Sequence, residues 1–547
     1  MFKRFIMVIL VAMLLVITGC ASNIELTTST IETTTTKDTP NIDYKLPTKK
    51  FILNSLISNN MMFQRDKPIR IFGEAEPHTI IIVKLYKEED PTYIKEAYTL
   101  VPESGAWLIE LESEPGSFDQ YILEITDTIY KETIRNVVFG DLYLTGGQSN
   151  MALKLKYIID NAKYMHNVNE RNLRIFYQDD LSNSVNYPYE AQKDVVNGRW
   201  RVANSLANIE EASAIGYVFM YELYHHLKVQ GKAIPIGIIN SARGGSSIFS
   251  WLDRDVINNS TELVAYLDEN RIARDEKGWN TKGTNNYNQV SALYNSKIAP
   301  LTNFHIKGVI WYQGESNATY YPNNYAIPTL IDSWSKAFNR DNELLPFLLI
   351  QLHPYDGTDP LLGPSERNYT YFNYALHRQA QFETVMREKY KKTTVIIPIY
   401  DVDLTWQVIP KYPNEAIYHP LTKAPIGVRT AKAIATLLYE DEVDYLPPIY
   451  KSHTFTATSI TIEFDHYGDY LTTLDGKAYV TTVEVYSYNG KRSTIAGEII
   501  EPNKIRISNV DTSLIEAISY SNFSRNEASN LANSLGIPAI PFKVNLR

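Results

Sequence analysis

Between residues 139 and 440 the sequence alternates short, almost continuous apolar runs with longer segments of helical periodicity. The apolar runs have the length of strands and lie at 142–144, 234–239, 306–311, 347–352 and 394–399. Strands that are apolar on both faces are typical of a parallel sheet that is covered by helices on either side. Helical segments at 212–229 and 426–439 separate or close these runs, so the pattern predicts a doubly wound α/β domain over 139–440.

Both flanks of this segment have a different pattern, in which short β-branched runs are separated by turn residues. Residues 49–138 contain several such runs, which predict an N-terminal β-sandwich. The pattern returns after residue 440 and predicts a C-terminal β-sandwich-like module over 441–547. We therefore expect an α/β domain between two β modules.

The N-terminus has the features of a secretory signal. A basic start and an apolar run over 5–17 precede the ending Ile17-Thr18-Gly19-Cys20, and this run is too short for a comfortable membrane-spanning helix. The ending resembles the lipobox of bacterial lipoproteins, which implies that 1–19 is removed and that Cys20 is lipidated. The Thr-rich segment 20–48 would then be a disordered tether that holds a lipid-anchored protein at the bacterial cell surface.

Composition argues against two kinds of partner. The chain of 547 residues has a formal net charge of −9 without marked clustering, which disfavours nucleic acid as the main partner. Cys20 is the only cysteine, so a disulfide within the chain and a cysteine metal site are both excluded, and we expect no metal and no cofactor. The oligomeric state is left open by the sequence.

Polar motifs follow the first three predicted strands, at the edge of a parallel sheet where functional groups gather. The first motif contains Ser149 after two glycines, the second contains Gly244 and Gly245, and the third contains Gln313 and Asn317. A serine on a glycine turn can act as a nucleophile. Backbone N–H groups and amide side chains around it can stabilise an oxyanion.

A histidine lies further along, near the end of the predicted α/β domain. Asp401 and Asp403 come directly after the last strand, and His419 precedes the closing helix. Met151 stands where a G-x-S-x-G elbow needs its last glycine, so the α/β-hydrolase class is disfavoured. A serine near the start of the domain and a histidine near its end instead resemble the SGNH, or GDSL-like, hydrolases.

Four sequence blocks in this order resemble the sialate O-acetylesterase family: FGDLYLTGGQSNM, NSARGGSSIFSWL, IKGVIWYQGESNA and HPLTKAPIGVR. Segments at 61–77 and 518–542 are similar to the N- and C-terminal β regions of that family, so the resemblance covers nearly all of 50–545. The resemblance implies that Ser149 is the nucleophile and His419 the general base. It also implies an oxyanion hole that draws on the Ser149 N–H, a glycine of Gly244-Gly245 and the amide of Gln313 or Asn317.

The third catalytic residue does not follow from the family pattern. The family usually has an acid two residues before the histidine, and this chain has Ile417 there. Glu415 is the nearest acid and ranks first, because a histidine base usually needs an acid that fixes its tautomer. The alternatives are Glu315, then Asp401 or Asp403, and finally a site with no acid at all.

The sequence therefore predicts a serine esterase that removes O-acetyl groups from carbohydrate, and the family name implies sialic acid as the sugar. Another acetylated glycan, such as xylan, remains an alternative substrate, since related sites serve different sugars. A glycan-binding surface lipoprotein with a weakened catalytic domain is the alternative from another class, and only Ile417 supports it. A glycosidase with two carboxylates is disfavoured, because no two acids are placed together and Ser149 would have no role.

Overall fold

The computed structural model describes residues 43–182, 186–275, 286–338, 343–355, 373–402, 419–526 and 528–547. Its strands are β1 (Ile52–Leu53), β2 (Met62–Gln64), β3 (Ile69–Glu74), β4 (Ile80–Lys87), β5 (Ile94–Leu100), β6 (Ala106–Leu111), β7 (Ser117–Thr126), β8 (Lys131–Gly147), β9 (Glu170–Tyr177), β10 (Arg199–Ala203), β11 (Ile236–Ala242), β12 (Gly308–Tyr312), β13 (Phe347–Ile350), β14 (Thr394–Ile397), β15 (Ile449–Phe455), β16 (Ser459–Asp465), β17 (Leu471–Thr473), β18 (Val480–Ser487), β19 (Arg492–Glu501), β20 (Lys504–Ser508), β21 (Ile515–Tyr520), β22 (Leu531–Asn533) and β23 (Phe542–Asn545). Its helices are α1 (Ser149–Ala152), α2 (Ala162–Met165), α3 (Leu206–Ile209), α4 (Ala214–Val229), α5 (Arg254–Asn258), α6 (Thr261–Glu269), α7 (Asn323–Phe338), α8 (Tyr374–Met386) and α9 (Ala424–Tyr439).

A parallel sheet occupies the centre of the fold. Its strands lie in the order β9-β11-β8-β12-β13-β14, and β10 adds an antiparallel strand beside β9. Ala242 at the end of β11 and Tyr312 at the end of β12 both lie opposite Gly147 at the end of β8. The carboxyl ends of three neighbouring strands are therefore level, and the loops that follow them meet at one edge. The predicted α/β class with a parallel sheet is confirmed.

Apolar side chains cover both faces of this sheet, which explains why its strands read as continuous apolar runs. Leu144 and Trp311 belong to one buried core, which also contains the apolar side of α7. Tyr143 and Ile310, their neighbours in the chain, belong to a second core with α4 and α9. Successive residues of a strand point to opposite faces, so each strand contributes to both cores.

Strand β8 is unusually long and joins the N-terminal β region to the central sheet. Its first half pairs antiparallel with β7, and its second half pairs parallel with β11 and β12. The other N-terminal strands form the sheet β1-β3-β6 and extend the β7 side through β4 and β5. The boundary predicted at 138/139 lies inside β8, and the described residues form one compact unit. The division into domains stays a prediction.

The C-terminal region is an antiparallel β structure, in keeping with the flanking β-rich region that the sequence predicts. Seven of its strands form one sheet in the order β15-β16-β20-β19-β18-β21-β23, and β17 pairs with β22. Arg378 in α8 holds this region against the central domain, because its guanidinium donates to the carbonyl groups of Leu352, Phe523 and Ser524. Within the described ranges, no helix is both long and apolar enough to cross a membrane.

Candidate active site

The turn that carries Ser149 is fixed against the neighbouring strand β12. Gly147 has a φ of +131°, and a Cβ there would lie 2.0 Å from the carbonyl oxygen of Tyr312, so only glycine fits. The N–H of Gln148 donates to the same carbonyl at 2.9 Å. The Gln148 side-chain oxygen accepts from the N–H groups of Gly314 (3.3 Å) and Ser316 (3.2 Å). This bonding presents Ser149, half-buried, as the first residue of α1.

The glycine turn after β11 lies directly beside Ser149. A Cβ built on Gly244 would lie 3.5 Å from the Cβ of Ser149, so the Gly244 backbone faces the serine without an intervening side chain. Gly245 has a φ of +71°, and a Cβ there would lie 2.9 Å from the hydroxyl oxygen of Tyr287. The Asn288 amide donates to the Gly245 carbonyl at 2.9 Å. Gly244 therefore borders the reactive position, whereas Gly245 shapes the turn.

The two amide candidates after β12 have different hydrogen bonds. The buried Gln313 amide donates to the Ser246 carbonyl (3.1 Å) and to the Asn317 side-chain oxygen (2.9 Å), so both of its N–H groups are used within the protein. The half-buried Asn317 donates one N–H to the hydroxyl of Ser247 at 3.2 Å. Of the two, Asn317 is better suited to an oxyanion, and Gln313 orients it.

Asn150 and Lys423 form a buried hydrogen-bonded chain with Glu315 behind the serine turn. The Lys423 ammonium donates to Asn150 Oδ1 at 2.6 Å, and Asn150 Nδ2 donates to Glu315 Oε1 at 2.5 Å. Burial raises the pKa of Glu315 to about 7 and lowers the pKa of Lys423 to about 7, while each charge partly offsets the effect on the other. Glu315 Oε2 is shielded from solvent and accepts no hydrogen bond.

The segment that carries His419 is bound to the segment that follows Ser149. The N–H of Ile159 donates to the Leu421 carbonyl at 3.2 Å. The Asp160 carboxylate accepts the backbone N–H groups of Lys423 (3.3 Å) and Ala424 (2.9 Å), where α9 begins. His419 itself is half-buried. The structure thus brings the histidine segment, the serine turn and the loops after β11 and β12 to one edge of the sheet.

Two of the four acids predicted as partners of His419 lie within the described residues. Asp401 forms a two-pronged ion pair with Arg429 of α9, at 3.0 and 2.7 Å, so its carboxylate joins the end of β14 to that helix. Glu315 is bound to Asn150 on the serine side. Glu415 and Asp403 lie outside the described residues, as do Ile417 and Cys20. The choice of acid therefore stays a prediction.

A cationic group borders the site next to Gly244. The Arg243 guanidinium lies 4.4 Å from the ring centre of Tyr287 and donates to the Asp180 carboxylate at 3.0 Å. The buried Lys297 ammonium pairs with the same carboxylate at 2.9 Å. Arg243 therefore places a guanidinium that is paired with Asp180 directly before Gly244.

Residues important to the site were missed by sequence reasoning. Asn150, Asp160 and Lys423 each had no role assigned, although Asn150 and Lys423 lie inside the blocks GQSNM and HPLTKAPIGVR. Their positions in those blocks were the available signal, but nothing in the local pattern showed that Lys423 is buried. Among the described residues, no group of three or more His, Cys, Asp or Glu side chains is arranged to hold a metal ion.

Comparison with known proteins finds carbohydrate esterases that are similar to this chain. A family model described as "Carbohydrate esterase, sialic acid-specific acetylesterase" matches residues 139–386. The sialate O-acetylesterase of Homo sapiens is 26% identical over 414 residues, which cover 72% of each chain. The sialate O-acetylesterase of Mus musculus is 25% identical over 440 residues, which cover 75% of this chain and 77% of its own.

A solved structure gives the same result. The crystal structure of a carbohydrate acetylesterase from Xanthomonas citri has a TM-score of 0.72 and 26% sequence identity, and the match covers 91% of this chain and 100% of that chain. The predicted resemblance to the sialate O-acetylesterase family is therefore confirmed. The family match begins at the predicted start of the α/β domain and ends before His419.

Proposed function

We propose that this protein is a serine esterase that removes O-acetyl groups from carbohydrate, with sialic acid as the favoured sugar. The observation that carries the proposal is the placement of Ser149 on a tight turn, with the Gly244 backbone against it and the Asn317 amide on the adjoining loop. The similar proteins are carbohydrate esterases by name, which supports the same reaction class. We further propose that 139–440 is an SGNH-type, doubly wound domain flanked by β-sandwich modules.

The proposed reaction has two steps. Ser149 Oγ attacks the acetyl carbonyl while His419 accepts the hydroxyl proton, and the oxyanion is stabilised by the N–H groups of Ser149 and Gly244 and by the Asn317 amide. The C–O bond to the sugar then breaks, and the proton on His419 passes to the departing sugar hydroxyl. Water, activated in turn by His419, attacks the acetyl-serine and releases acetate. Glu415 is proposed to orient His419, with Asp403 as the alternative.

The charge beside the serine supports an acidic sugar over a neutral one. Arg243 directly precedes Gly244 and carries a guanidinium, which attracts a carboxylate; sialic acid carries a carboxylate whereas xylan is neutral. The deciding experiment measures acetate release from O-acetylated sialic acid and from acetylated xylan under the same conditions. Faster release from xylan would overturn the choice of sugar. No release from either would favour a glycan-binding protein with a weakened site.

The two neighbouring glycines are expected to respond differently to alanine. In Gly244→Ala the new methyl group meets Ser149 at an ordinary contact distance, so the melting temperature should hardly change. It would displace the acetyl carbonyl, however, and we expect kcat/KM to fall about 10²-fold. Gly245→Ala should cost about 1–2 kcal/mol of stability, because its φ is left-handed. Acetate release and thermal unfolding of both variants check this, and a fully active Gly244→Ala enzyme would contradict it.

We also propose that the protein is anchored to the bacterial membrane through lipid on Cys20. Cys20→Ser should move the protein from the membrane fraction to the soluble extracellular fraction or leave its signal uncleaved, since two or more acyl chains are needed for stable anchoring. The measurement is fractionation of cells that express each form, together with N-terminal sequencing. A Cys20→Ser protein that is correctly cleaved and still sediments with membranes would show that lipid is not the anchor.

A further inference from the structure

Lys423 and Asn150 are buried, Glu315 is half-buried with its Oε2 atom shielded from solvent, and the proposed reaction uses none of the three. Charged groups are costly to bury unless they are paired and hydrogen-bonded. Here the amide of Asn150 lies between them, with its oxygen toward the ammonium and its nitrogen toward the carboxylate. This orientation satisfies both neighbours, so the two hydrogen bonds fix the amide of Asn150, which directly follows Ser149.

One end of this chain is attached to the histidine segment. Lys423 follows His419 by four residues and immediately precedes α9. Its backbone N–H is held by the Asp160 carboxylate, so its Cα cannot move freely with respect to residues 149–160. The bond from its ammonium to Asn150 adds a direct side-chain connection between the histidine segment and the serine turn.

The other end of the chain is attached to the loop that carries Asn317. Glu315 and Asn317 are the first and last residues of one 3-10 turn after β12. The bond from Asn150 to Glu315 therefore joins the serine turn to the loop of the proposed oxyanion donor. The three segments that bear nucleophile, base and oxyanion donor all meet at Asn150.

We propose that Lys423, Asn150 and Glu315 act as one positioning unit, which holds Ser149, His419 and Asn317 in the alignment that acetyl transfer requires. This inference rests on the proposed function for the roles of those three residues. The unit does not touch the substrate. It acts because misplacing a reacting group by about 1 Å can cost on the order of 10² in rate.

Lys423→Met tests the unit, since it removes the ammonium and keeps an unbranched side chain. We expect kcat to fall about 10²-fold with KM nearly unchanged, because the substrate contacts remain. Lys432→Met is the matched control. Lys432 lies on the exposed side of the same helix, outside the catalytic machinery, so its variant should keep wild-type kinetics.

A double variant separates positioning from stability. Lys423→Met alone leaves the shielded Glu315 carboxyl group without a cation nearby, which lowers stability. Lys423→Met/Glu315→Gln removes both charges and keeps an oxygen that can accept from Asn150. Replacing a buried charge pair in this way is often neutral or stabilising, so we expect a melting temperature close to that of wild type. Turnover should stay about 10²-fold below that of wild type, because the hydrogen bond from residue 423 to Asn150 is still missing.

A second readout does not depend on the substrate. Diisopropyl fluorophosphate bonds to an activated serine oxygen as fluoride leaves and the hydroxyl proton passes to the base, so its labelling rate reports the alignment of Ser149 with His419. We expect the double variant to be labelled about 10²-fold more slowly than the Lys432→Met control. A folded double variant within about threefold of that control in both turnover and labelling would overturn the positioning unit.

The same measurements distinguish failure of the proposed function. A wild type that is labelled at Ser149 but releases no acetate from any acetylated sugar would refute the esterase proposal alone, and the labelling rates would still decide the positioning unit. A wild type that is not labelled at all would refute both.

Discussion

Ser149→Ala is expected to lower acetate release by about 10³-fold or more, because the proposed reaction passes through an acetyl group on this serine. Ser149 lies on the turn fixed by Gly147 and faces the Gly244 backbone. It is the only nucleophile in the proposed reaction. Alanine cannot form the acetyl intermediate, so only the residual effect of the oxyanion donors would remain. The measurement is acetate release from the preferred substrate, at an enzyme concentration high enough to quantify the residual rate.

The control for this experiment is a serine of the neighbouring loop. Ser316 is exposed, and the bond that fixes its position uses its backbone N–H and the Gln148 side chain. Ser316→Ala should therefore keep the wild-type rate within about threefold, the size of a change under ~1 kcal/mol. Both variants should have the melting temperature of the wild type, because neither position is fully buried. A Ser149→Ala protein that retains its activity would refute the serine mechanism.

Glu415→Gln is expected to lower turnover by up to ~10⁴-fold, the cost of neutralising an acid that orients a catalytic histidine. Glu415 remains the first candidate, because Asp401 is paired with Arg429 and Glu315 is hydrogen-bonded to Asn150 through Oε1. The loss should appear in kcat, since His419 would take the wrong tautomer while the sugar still binds.

The role of Glu415 is checked by assaying variants of all four candidate acids side by side. Asp403→Asn should be the costly variant if Glu415 is not the partner. Asp401→Asn is the control, and it should lower the melting temperature by breaking the ion pair with Arg429 while leaving turnover within about tenfold. If Glu415→Gln, Glu315→Gln, Asp401→Asn and Asp403→Asn each keep more than a tenth of wild-type activity, which is less than ~1.4 kcal/mol each, the site works as a Ser149–His419 dyad.

Some parts of the fold could not be read from local patterns. Strand β9 begins with the polar residues Glu170 and Arg171, and β10 alternates charged and apolar residues because it lies at the edge of the sheet. Neither resembles a strand that is buried on both faces, so neither was predicted. The boundary predicted at 138/139 also rested on a local pattern alone. The sequence pattern changes there, but the backbone of β8 continues through the change and pairs on both sides of it.

Local sequence determined the parallel sheet and the serine turn, because both depend on patterns within a few residues. Burial of both faces requires the apolar runs of β8, β11 and β12, and the close approach of Tyr312 requires glycine at 147. Tertiary structure alone decided which polar residues meet. Lys423 is 273 residues from Asn150, and no local pattern shows that their side chains share one buried space. Its burial and its bond to Asn150 arise only when α9 packs on the sheet and the strand ends become level, since desolvation and hydrogen bonding depend on neighbours that the chain order does not reveal.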